Sequence, residues 1–66
     1  IPVDENLQGE STLMMYDQYG SLLCVQHFDA RTTLTCEVQI NNLPSGIYYV
    51  LMRDHKQTIA GRFVKT

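Results

Sequence analysis

Cys24 and His27 are the first pair in this sequence that could do chemistry, since a thiol beside an imidazole is a nucleophile beside its base. Their spacing argues against it. Both fall in the apolar run Leu22 to Phe28, and positions three apart on a strand point to opposite faces. Cys24, His27, Cys36 and His55 are residue types that bind zinc, but no two of them make the short paired spacing such sites use. The two cysteines permit one disulfide. Bridging needs Cα atoms about 4.4–6.8 Å apart, which sequence does not fix; the other reading is a pair of small buried hydrophobes. Asp4 and Glu5 are adjacent carboxylates near the start of the chain, a solvated position, and no phosphate loop, dinucleotide fingerprint or nucleophile elbow occurs. The residues therefore point to no catalytic centre, no metal and no cofactor.

Four tyrosines are the other residues with binding chemistry. Tyr16, Tyr48 and Tyr49 sit in apolar runs and Tyr19 in a turn. A carbohydrate module would expose two or three aromatics on one face. The reading we favour places them in the core or at its rim, with the hydroxyl reaching water.

Those side chains need a scaffold, and 66 residues (7.6 kDa) allow one domain. With 44% hydrophobic residues and a mean hydropathy of −0.17 the chain has enough for one modest core. No apolar run approaches the roughly 18 residues of a membrane span, and no basic segment leads into an apolar one as in a signal peptide. The chain opens at Ile1 rather than Met, as a piece of a longer polypeptide would. A net charge of −2 excludes the basic footprint of a nucleic-acid binder. Its distribution is uneven. Asp4, Glu5, Glu10, Asp17 and Asp29 precede the first base, whereas Arg31, Arg53, Lys56, Arg62 and Lys65 face only Glu37 and Asp54 in the second half. The simple reading is two halves that pack with complementary edges; the sharper one is a basic C-terminal half that faces a partner.

The periodicity is that of strands. Leu34, Cys36, Val38 and Ile40 alternate with Thr33, Thr35, Glu37 and Gln39, the pattern of a strand with one dry face. Thr12–Tyr16 and Leu22–Phe28 are further runs, Thr58–Lys65 closes the chain, and Ile1–Asp4 is the remnant of a first strand. Ile47–Met52 is apolar throughout, which fits a central strand covered on both faces. Asp17-Gln18-Tyr19-Gly20, Leu43-Pro44-Ser45-Gly46 and Asp54-His55-Lys56-Gln57 supply the turns. Runs at this spacing predict an all-β fold, a small antiparallel sandwich of about six to seven short strands, Ig-like or jelly-roll-like, with its first strand trimmed.

The order of these motifs resembles one family. Leu13-Met14-Met15-Tyr16-Asp17-Gln18-Tyr19-Gly20 with Leu23, then Leu43-Pro44-Ser45-Gly46-Ile47-Tyr48-Tyr49-Val50, then Gly61-Arg62-Phe63-Val64-Lys65-Thr66, is similar to the type A C-terminal sorting domain of the type IX, or Por, secretion system. The resemblance runs over residues 11–66. The Pro-Asn-Pro-like start of that family is absent, and Ile1-Pro2-Val3 matches the end of that region. The resemblance implies that residues 1–66 are one sorting domain of a longer secreted protein and not an enzyme. Such domains direct a cargo, brought to the periplasm by its own signal peptide, across the outer membrane. The implied partners are the outer-membrane translocon and a sortase-like peptidase that removes the domain and attaches the cargo at the cell surface. The residues it singles out as motif or recognition candidates are Gly20, Pro44, Gly46, Tyr48, Arg62, Phe63, Val64 and Lys65. The competing reading is a small carbohydrate- or protein-binding module appended to a secreted enzyme or adhesin.

Overall fold

A computed structural model describes all of residues 1–66. The chain forms four strands and no helix: β1 (Glu10–Tyr16), β2 (Leu22–Asp29), β3 (Gly46–Arg53) and β4 (Thr58–Lys65). They make one antiparallel sheet in the order β2-β1-β3-β4. Each strand coincides, within two residues at either end, with an apolar run bounded by turn residues. The β1–β2 turn is closed by Asp17, whose Oδ1 accepts the amides of Tyr19 and Ser21 at 2.9 Å each. Gly20 takes φ = +86° there, a conformation that a side chain would strain. A bulge at Met15/Tyr16 then shifts the pairing so that Tyr16 meets Leu22.

Register sorts the side chains onto two faces. Leu13 and Met15 stand opposite Gln26 and Cys24 on one side and Met52 and Val50 on the other. Ile59, Gly61 and Phe63 continue these rows onto β4. This face is the dry one, and Leu13 and Met15 at its centre are almost wholly shielded from solvent. Because β2 and β3 are both antiparallel to β1, they run parallel with β1 between them. Their connection, Ala30–Ser45, has to cross the sheet. It crosses the dry face, and Ala30, Cys36, Val38 and Leu43 pack onto the core together with Val3 and Leu7 from the N-terminal segment. The cover is incomplete along the first part of β4, leaving a groove of about 420 Å³ between Ile1–Asp4 and Ile59–Phe63.

The expected sandwich of six to seven strands is therefore corrected to one open four-stranded sheet under an irregular cover. The two strands that the sequence pattern placed at Ile1–Asp4 and Thr33–Ile40 meet in a single bridge, Pro2 with Thr35. Val3 N donates to Leu34 O at 2.9 Å, and Cys36 N donates to Ile1 O at 2.8 Å. Beyond Cys36 no ladder forms. Alternation survives all the same, since Cys36, Val38 and Ile40 turn inward while Glu37 and Gln39 stay exposed. Period two reports burial of every second side chain in extended backbone, and burial needs no hydrogen-bonded neighbour. Leu34 breaks the pattern at 86% exposure. β3 is also corrected. It is a central strand, but covered on one face only, with Tyr48, Val50 and Met52 buried and Tyr49 exposed.

Leu13 lies where the rows cross, so Leu13→Ala should destabilise the domain by about 3 kcal/mol through lost transfer energy and an unfilled cavity. Leu34→Ala should stay within about 0.5 kcal/mol. Chemical denaturation of both variants measures this. Equal midpoints would place the core elsewhere.

Candidate functional site

The motif residues divide between one end of the sheet and its uncovered face. At the end, the turn after β1 and the Leu43–Gly46 turn line one shallow cavity of about 130 Å³, with Asp17, Tyr19, Pro44 and Tyr48 among its walls. Tyr48 is buried, and its hydroxyl donates to the Pro44 carbonyl. Its ring stacks on Phe63, directly opposite on β4, with centroids 5.3 Å apart and planes 20° apart. Gly46 opens β3 opposite Lys65.

Lys65 does not present its charge outward in the manner of a recognition group. Its ammonium donates to the carbonyls of Ile40 (2.7 Å), Asn41 (3.1 Å) and Leu43 (2.5 Å). All three donors of the ammonium are used, each in a charge-assisted bond, and the last strand is thereby tied to the end of the crossing segment. Gly20, Pro44, Gly46, Tyr48, Phe63 and Lys65 thus shape one end of the domain. Arg62 and Val64 are separate from them. They point from β4 to the uncovered face, opposite Tyr49 and Ile47, and are exposed.

The residues first weighed for catalysis are dispersed. Cys24 lies on the dry face opposite Met15, and His27 on the other face opposite Thr12, whose hydroxyl lies 3.2 Å from Nδ1. Cys24 and Cys36 are free thiols packed into the core, and burial pushes the Cys36 thiol up. The uneven charge distribution does not resolve into contacts between halves. The sole ion pair is local, Arg31 with Asp29 at 2.6 Å. Arg31, through its side-chain and amide hydrogen bonds, holds the Asp29 carboxyl at about 2.

Asp54 is the important residue that sequence reasoning passed over. It reads as one polar residue in a turn, yet it is buried. Its Oδ1 accepts the amides of Lys56 (2.7 Å) and Gln57 (2.9 Å), and Oδ2 accepts the amide of Gln8 at 2.9 Å. It both closes the β3–β4 turn and pins the N-terminal segment whose Leu7 enters the core. The local signal was present: Asp at the first position of a four-residue turn bonds the amides two and three residues on. The bond to Gln8 is not local and left no trace in sequence.

Comparison with known proteins gives one family. The model of a family described as "Secretion system C-terminal sorting domain" matches residues 1–66, the whole chain. No curated protein and no solved structure matches.

The amides of Lys56, Gln8 and Gln57 hold the Asp54 carboxyl at about 2, below the ordinary 3.8. A lowered carboxyl adds stability above its unfolded value and loses it as pH falls through the folded one. Melting temperature should therefore fall between about pH 4 and pH 2, and Asp54→Asn, which cannot titrate, should flatten that fall. Identical acid limbs for parent and variant would show that the Asp54 hydrogen bonds to Gln8, Lys56 and Gln57 are not formed.

Proposed function

The chain belongs to the family of secretion-system C-terminal sorting domains of type IX secretion, and from that membership we propose that it is a non-enzymatic address read in the folded state. The single observation that carries the proposal is the family match over the full length. In this reading a cargo protein reaches the periplasm separately, the outer-membrane translocon recognises the folded domain, and a sortase-like peptidase removes it as the cargo is attached at the cell surface.

The geometry supports a folded rather than a linear signal. The C-terminal residues are not a tail. Phe63 stacks on buried Tyr48, Lys65 is clasped by three carbonyls, and β4 is hydrogen-bonded along its length to β3. A short linear motif would need these side chains free. In the folded domain they fix the position of the last strand, and a receptor is offered a shaped face or a strand edge. We assign Gly20, Pro44, Gly46, Tyr48, Phe63 and Lys65 to building that shape, and Arg62 and Val64 to being read. The potential nucleophiles and acids also fit a non-catalytic role: the Cys36 thiol sits in the core cluster, that of Cys24 packs against it, and Asp54 is spent on backbone amides.

A periplasmic reporter carrying this chain at its C-terminus should appear on the surface of a type IX-competent cell, while the reporter alone stays in the periplasm. Protease accessibility on intact cells measures it. A fusion that remains periplasmic in cells that export their own cargo would overturn the sorting reading and favour the binding-module one.

A further inference from the structure

The uncovered face of the sheet is the least explained surface of the molecule. Antiparallel register sets Val25, Met14, Leu51 and Ala60 in one row across all four strands and Tyr16, Tyr49 and Arg62 in the next. Ile47 and Val64 pair below them. Nothing is layered on these residues. Val25, Tyr49 and Val64 are 45%, 41% and 63% exposed. A single exposed apolar residue needs no explanation, but a contiguous strip across all four strands marks an interaction surface. The opposite face, by contrast, recruits two segments of the chain to cover it.

Charge says what would cover it. Arg53 pairs with Thr12 and Thr58 at one corner of this face, and Arg62 with Tyr49 near the other end. Both are exposed, neither takes part in an ion pair or a side-chain hydrogen bond, and both lie on the β3–β4 side of the strip. The carboxylates of the same face, Glu10 and Asp29, are paired with each other in register at its far corner, where Asp29 is already taken by Arg31. The face is thus an apolar strip with an unanswered positive edge. A membrane surface is a poor occupant, because electrostatic attachment takes a cluster of roughly four to eight bases and here there are two on a chain of charge −2. A second copy is poor as well, since the one unpaired carboxylate of the face, Glu10, stands outside the apolar strip and could answer only one of its two arginines.

Resting on the sorting reading, we propose that this face is where the domain docks on its export receptor, and that the matching surface is a protein patch of apolar side chains flanked by carboxylates opposite Arg53 and Arg62. Aromatic and arginine side chains at the centre and edge of such a strip are the residue types that dominate protein interfaces. Lys65 lies outside this surface, so its part in sorting is to hold the domain together.

The surface-display reporter distinguishes this from the reading it rests on. Tyr49→Ser with Val64→Ser, and separately Arg53→Glu with Arg62→Glu, should each cut the rate of surface appearance by about tenfold or more, the scale of losing an interface anchor. Leu34→Ser, which removes an even more exposed apolar side chain outside the face, should leave the rate unchanged, and Arg62→Lys should retain most of it. Circular dichroism and melting of the purified variants confirm that they fold. A face variant that folds and is exported at the parent rate would overturn the docking proposal and leave the sorting reading standing. A parent fusion that is never exported would overturn both. Two further measurements bear on the occupant: a dimer in sedimentation that Tyr49→Ser with Val64→Ser dissolves, or binding to phosphatidylglycerol vesicles that Arg53→Glu with Arg62→Glu abolishes, would each overturn the assignment to a carboxylate-bearing protein.

Discussion

Placing β1 between two strands that run parallel forces Ala30–Ser45 across one face of the sheet, and most of the structure follows from what that crossing requires. An irregular segment on an apolar face must bury side chains and still satisfy its backbone polar groups. A second sheet would do so through ladders. Here the task falls to side chains of the sheet and to the N-terminal segment: Gln26 reaches the Glu37 carbonyl at 2.6 Å, Lys65 takes the carbonyls of Ile40, Asn41 and Leu43, and Ile1 bonds with Cys36. Asp54 does the corresponding work for the segment that carries Leu7. In a domain of 66 residues, which buries only about 60% of its unfolded surface, few such contacts can be lost before the cover lifts.

The four strands were legible in the sequence because each is a short apolar run with turn chemistry at its ends. Asp17 and Gly20 marked the β1–β2 turn correctly. The second layer was misread for a definite reason. Cys36, Val38 and Ile40 do alternate inward, but alternation is a statement about which side chains are buried and carries no information on whether a neighbouring strand supplies hydrogen bonds. β3 was misread in a related way. An all-apolar run shows that the strand is central, not that something lies on each face, and in this chain one face of Ile47–Met52 is left open.

The functional residues show the same limit. The motifs that mark the family lie far apart in sequence, and only the fold shows that Pro44, Tyr48, Phe63 and Lys65 converge at one end while Arg62 and Val64 part company with them. Neighbours in sequence on β4 serve opposite faces: Arg62 and Val64 face out, Phe63 and Lys65 face the core and its cover. Asp54 had only half its role written locally. What unites these residues is that charge in this domain is spent mainly on backbone, and the arginines of the open face are left over.

The central claim is that the Lys65 clasp holds the crossing segment on the sheet, and amide hydrogen exchange in Lys65→Met tests it most directly. The amides of Cys36 and Leu43, bonded to Ile1 and Ile40, lie in the segment the clasp secures. Both should exchange about tenfold faster or more in the variant, the scale of losing hydrogen bonds to a charged group, while the amides of Leu13 and Met15 in the centre of the sheet keep their protection. Unchanged exchange at Cys36 and Leu43 would contradict the account, because the cover would then be held without the clasp.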